Sequence, residues 1–138
     1  MRAAMKRKKV LLVDDSKTIL LMERMILGNE PFDLITAVNG EEAVAKAQSE
    51  MPDLILMDVV MPRMNGFEAC RRIRTDETTS EIPVIMVTTR SEMQSVEAGY
   101  ESGCADYVVK PIDGVELLTK VQSYLGSWSG EDLDAKPC

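Results

Sequence analysis

The chain has 138 residues, 45% hydrophobic and 28% charged, with a net charge of −7. That is the length of one domain with an ordinary core, too short for a second and too apolar for a disordered chain. The acidic balance argues against a nucleic-acid surface, and no apolar run approaches the roughly 20 residues that cross a bilayer, so a cytoplasmic protein with no membrane insertion is expected.

Lys9 to Val13 is a short apolar run of the kind that forms a strand buried on both faces. Ser16 opens a helical stretch to Leu27, which Gly28-Asn29 stops. Phe32 to Val38 reads as a second strand, Asn39-Gly40 as a turn, and Glu41 to Glu50 as a helix with Ala43, Val44 and Ala47 on one face. Asp53 to Met57 is a third strand, and Asn65-Gly66 starts a helix to about Arg74. A fourth strand, Pro83 to Val87, precedes a helix from about Ser91 to Ser102, and Ala105 to Val109 is a fifth strand. The last helix, Gly114 to Leu125, carries Leu117, Leu118, Val121 and Leu125 on one stripe. Met22, Met25, Met57 and Met86 are expected to fill the core, as is Cys70. Five buried strands alternating with five helices specify an α/β fold, a parallel sheet with helices on both faces. A single folded unit over residues 8–125 is expected, followed by a short acidic tail, 126–138, without fixed structure.

Sheets of this kind bind ligands at the carboxyl ends of their strands. The first strand ends in Asp14-Asp15, the third in Asp58, the fourth in Thr88-Thr89 and the fifth in Lys110-Pro111. Singly, each has a plain structural explanation: a helix cap, a turn residue, a β-branched strand residue, a solvated lysine. Together at one sheet edge they form three carboxylates, a hydroxyl and an ammonium. Carboxylates crowded in this way need a cation, and Mg²⁺ is the hard ion that takes carboxylates and phosphate oxygens together. The chain has no histidine, so His-based nucleophilic catalysis and the usual zinc sites are excluded. A carboxylate nucleophile beside a metal and a lysine is the equipment for an aspartyl phosphate.

These residues resemble the receiver domains of two-component response regulators, in layout the single-domain chemotaxis type. The motifs are Asp14-Asp15, Asp58 to Pro62 with Asn65-Gly66 following, Val87 to Thr89, and Lys110-Pro111. The resemblance implies a flavodoxin-like strand order 2-1-3-4-5. It also implies that Asp58 accepts the phosphoryl group and that Mg²⁺ is held by Asp15 directly, Asp14 mainly through water, Asp58 and the Val60 backbone carbonyl. Lys110 and Thr88 would contact the phosphoryl group, and Tyr107 would be the aromatic switch that follows Thr88. The Lys110-Pro111 bond is expected to be cis. Val60 and Arg90 stand where the family controls dephosphorylation. Met93, Val96 and Tyr100 would join Tyr107 in a docking patch. Implied partners are a histidine kinase or phosphotransfer protein as donor and a downstream protein as target. Other readings are a Mg²⁺-dependent phosphohydrolase, which Val60 and the lack of a cap domain disfavour, a constitutive pseudo-receiver, and the amino-terminal piece of a longer regulator. A complete, competent receiver is the expectation.

Overall fold

A computed structural model describes residues 7–89, 101 and 103–126. Its elements are β1 (Lys8–Val13), α1 (Lys17–Leu27), β2 (Phe32–Ala37), α2 (Gly40–Glu50), β3 (Leu54–Asp58), α3 (Gly66–Thr75), β4 (Val84–Thr89), β5 (Asp106–Lys110) and α4 (Gly114–Leu125). The five strands form one parallel sheet in the order β2-β1-β3-β4-β5. The expected helix from Ser91 to Ser102 lies outside the described residues except for Glu101, so four helices stand among those described. The tail beyond Gly126 also lies outside them.

Each of these four helices begins at a side chain that caps it. Ser16 Oγ accepts from the Ile19 amide, Asn39 Oδ1 from Glu42, Asn65 Oδ1 from Glu68, and Asp113 Oδ1 from Val115 and Glu116. The apolar residues divide into two layers by the two-residue alternation of the strands. Leu11, Val13, Ile55, Met57, Val84 and Met86 meet Ala43 and Ala47 of α2 and Ala69, Cys70 and Ile73 of α3. On the other face Val10, Leu12, Leu54, Leu56, Ile85, Val87 and Val108 meet Leu20 and Leu27 of α1 and Leu117 and Val121 of α4.

The methionine expectation holds in the strands and fails on α1. Met57 and Met86 are buried, but Met22 is 38% and Met25 70% exposed. The buried face of α1 runs Leu20, Glu23, Leu27, and helical spacing puts Met22 and Met25 on the far side of the helix from that row. Arg74, at the end of α3, donates to the carbonyls of Gly103, Ser80 and Ile82. It thereby fixes the chain before both β4 and β5.

Candidate functional site

The polar residues singled out from the sequence arrive at one edge of the sheet because their strands are neighbours in register. Asp58 pairs across from Val87, Thr88 from Val109 and Thr89 from Lys110. Asp58, Thr88, Thr89 and Lys110 are the last residues of their strands rather than the first of the loops, since the ladder continues one or two residues past the apolar runs. Alternation then sorts them. Asp14, Asp58 and Lys110 continue the rows of Leu12, Leu56 and Val108, towards α1 and α4. Thr88 and Tyr107 continue the opposite rows, and Tyr107 packs on the α2–α3 layer.

Asp14 and Asp58 are buried, 1% and 4% exposed, whereas Asp15 is exposed. Asp14 uses both oxygens: Oδ1 accepts from the Ser16 amide at 2.9 Å and Oδ2 from Lys110 Nζ at 3.3 Å. The same ammonium donates to Asp58 Oδ1 at 3.1 Å. Burial and the Asp14 charge push Asp58 up to about 6, against the opposing pull of Lys110. Burial alone would lower the Lys110 ammonium, but Asp58 and Asp14 hold it above its ordinary range. One cation between buried carboxylates leaves the cluster short of positive charge.

One oxygen from each of Asp14, Asp15 and Asp58 lies within 4.8 Å of the others. All are hard donors, and the excess negative charge is what a divalent cation would offset, so the residues fit Mg²⁺. Val60 follows Asp58 by two residues with its side chain exposed. Its loop is tied down on both sides of the site: the Val59 amide donates to Val87 O and Val59 O accepts from the Gly66 amide. Gly66 is required here, because a Cβ would lie 2.2 Å from the Asp58 carbonyl oxygen. The Lys110-Pro111 peptide is cis, as expected.

The hydroxyl of Thr88, buried at 3% exposure, donates to Thr89 O at 3.4 Å. Tyr107 is half-buried, with Lys120 Nζ 5.2 Å from the centre of its ring. Met93, Val96 and Tyr100, the rest of the expected docking patch, lie outside the described residues, as does Arg90.

Glu23 is the residue that sequence reasoning missed. It is 1% exposed, and its Oε1 has no hydrogen-bond partner among the described residues. Burial pushes its carboxyl up to about 8; the charges of Asp14 and Asp58 add to this and Lys110 opposes it. Its position in the row Leu20, Glu23, Leu27 was the available signal, since spacing of three and four puts it on the face of α1 that meets the sheet.

With this geometry in place, comparison with known proteins decides the family. Residues 10–122 match the response regulator receiver domain. The chain belongs to that family. Protein PilH of Pseudomonas aeruginosa is 40% identical over 117 residues, covering 85% of this chain and 97% of PilH. The chemotaxis response regulator CheY4 of Vibrio cholerae superposes with a TM-score of 0.80 at 35% identity, covering 86% of this chain and 99% of CheY4. The receiver domain of the sensor histidine kinase PA1611 of Pseudomonas aeruginosa was solved with a magnesium ion coordinated in its active site cleft. It matches with a TM-score of 0.80 at 29% identity, over 88% of this chain and all of that domain. Other curated relatives are longer, and the chain spans 25% of one and 48% of another. The fold is thus the flavodoxin-like receiver fold, in the strand order expected. Among the described residues no helix is long and apolar enough to cross a membrane.

Proposed function

We propose that the chain is a cytoplasmic phosphoacceptor of two-component signalling, with residues 8–125 as the receiver unit, that accepts a phosphoryl group on Asp58 and signals by binding another protein. The observation that carries this is Lys110 Nζ shared between Asp14 and Asp58, with Asp15 completing the acid cluster. An Asp58 oxygen attacks the phosphorus of a phosphohistidine. The P–N bond breaks, its electron pair stays on the departing imidazole nitrogen, which takes up a proton from water, and an acyl phosphate remains on Asp58. Because this chain has no histidine, the phosphohistidine belongs to a kinase or phosphotransfer protein.

Asp14, Asp15, Asp58 and the Val60 carbonyl would hold Mg²⁺, which when bound supplies positive charge against the repulsion between carboxylate and phosphoryl oxygens. The chain's own part is positional. Ser16 and Lys110 fix Asp14, Gly66 allows the backbone under Asp58 to close, and Lys110 is placed to pass from the Asp58 carboxylate to a phosphoryl oxygen. Attack of water on the phosphorus breaks its bond to the Asp58 oxygen, releases inorganic phosphate and restores the carboxylate, so the protein catalyses both its own phosphorylation and its own dephosphorylation. Thr88 and Tyr107 transmit the charge that phosphorylation adds to a surface completed by Met93, Val96 and Tyr100.

Incubation with Mg²⁺ and acetyl phosphate is expected to add one phosphoryl group, read by intact mass. Equal labelling of Asp58→Asn and wild type would overturn the assignment.

A further inference from the structure

β5 is an edge strand, and α4 covers its open edge with two side chains. The Tyr124 hydroxyl donates to the Ala105 carbonyl at 3.1 Å, and Lys120 Nζ donates to the Tyr107 carbonyl at 2.7 Å. Lys120 also pairs with Asp106 Oδ1 and Glu116 Oε2, each at 3.4 Å. An ammonium has three N–H donors, and these three acceptors match them. Asp106 in turn accepts from the Tyr107 amide at 2.8 Å, so cation, carboxylate and backbone form one unit at this edge. The position of the cation is therefore set by groups other than the tyrosine ring. The ring nevertheless lies against it, with Nζ 5.2 Å from the centroid.

Two features make this contact more than local packing. Lys120 belongs to a helix on the Val108 side of the sheet, while the Tyr107 ring packs on the Met86 side. The contact thus reaches round the edge of β5 and joins the two layers. The side chain is 27% exposed, so the cation is partly stripped of water, the condition in which attraction to an aromatic face is felt most.

We propose that Lys120 is a positioning residue for Tyr107, holding the ring in the arrangement seen here against the one that follows Thr88. The proposal rests on the reading of Tyr107 as the switch. A ring that turns away from the cation gives up their attraction, and the partners that fix Lys120 leave it unable to follow. Attraction of this kind corresponds to a factor of about 2 to 30 in the ratio of the two ring positions. Lys120 would then set the resting ratio without touching the phosphoryl chemistry.

The test uses the full chain labelled with 3-fluorotyrosine. Its three tyrosines, Tyr100, Tyr107 and Tyr124, are assigned with Tyr→Phe variants. The ¹⁹F resonance of Tyr107 is recorded at rest and with beryllofluoride and Mg²⁺. Lys120→Met keeps the aliphatic stem and removes the charge. It is expected to move the resting resonance towards the beryllofluoride position, with a change in ratio of about 2- to 30-fold. Lys120→Arg keeps a cation and is expected to stay near wild type. A Lys120→Met resonance at the wild-type position overturns the proposal. Equal shifts in both variants also overturn it, because lost packing rather than lost charge would then be the cause. If Tyr107 ignores beryllofluoride while Asp58 is still labelled by acetyl phosphate, the switch reading fails and takes this inference with it, leaving Asp58 as phosphoacceptor intact.

Discussion

The acid pocket and the Thr88–Tyr107 pair share one end of the sheet but are built on opposite principles. In the pocket the buried groups are held by several contacts. Asp14 is held by Ser16 and Lys110, Lys110 by Asp14 and Asp58, and the backbone of Asp58 lies against Gly66 with no room for a methyl group. The pair makes contacts of a different kind. Thr88 makes a 3.4 Å hydrogen bond to its neighbour's carbonyl, and the ring of Tyr107 rests half-buried against a cation from another layer. Phosphoryl transfer needs reacting atoms in fixed places, whereas signalling needs a group with two arrangements close in energy. On the function proposed above, the pleat of the strands would separate the two tasks, since the acid pocket continues the rows that face α1 and α4 and the pair continues the opposite rows.

The first way to sharpen the contrast is to measure what the rigid pocket costs. Glu23 lies beside it with a folded-state pKa raised from 4.5 to about 8. A carboxyl that holds its proton more tightly when folded favours the folded state least once the unfolded chain has ionised. Its stability contribution is full below about pH 4.5 and is lost as the pH rises towards 8. Glu23→Leu is expected to remove that loss and gain about 3–5 kcal/mol at pH 8. Urea denaturation at pH 5 and pH 8 checks it: the variant should lose less stability than wild type between the two. Asp58, raised to about 6, gives a smaller loss of the same sign at lower pH in both proteins.

A second test breaks the pocket by crowding. Gly66→Ala forces a methyl group against the Asp58 carbonyl and is expected to cost about 1–3 kcal/mol. Labelling by acetyl phosphate should fall further than stability explains, because the reacting carboxylate is displaced. Full labelling would show that the pocket tolerates more movement than its contacts suggest. A third test grades the acids. Asp14→Asn is expected to weaken Mg²⁺ binding roughly tenfold, as loss of an outer partner does, and Asp15→Asn to weaken it more. Chemical shifts in an NMR titration give the order.

Much of this was legible in the sequence, for identifiable reasons. The strands are short runs buried on both faces, and Ser16, Asn39, Asn65 and Asp113 cap all four helices among the described residues. The motif residues fall at strand ends, so a parallel topology was enough to bring them together. The misses were matters of facing and reach. Met22 and Met25 looked like core because methionine is apolar, yet burial follows helical spacing, which selects Leu20, Glu23 and Leu27. By the same rule Glu23 was passed over because glutamate is polar. Arg74 and Lys120 resemble surface charges in one dimension. Their roles come from long side chains reaching carbonyls of other elements, 29 residues away for Arg74 to Gly103 and 13 for Lys120 to Tyr107, which no local pattern encodes.

The separation of chemistry from switching is tested most directly in Thr88→Ala, measured for Asp58 labelling by intact mass and for the Tyr107 environment by ¹⁹F resonance in the same sample. The variant is expected to accept the phosphoryl group while Tyr107 stays at its resting position. A Tyr107 resonance that moves on phosphorylation as far as in wild type would contradict it.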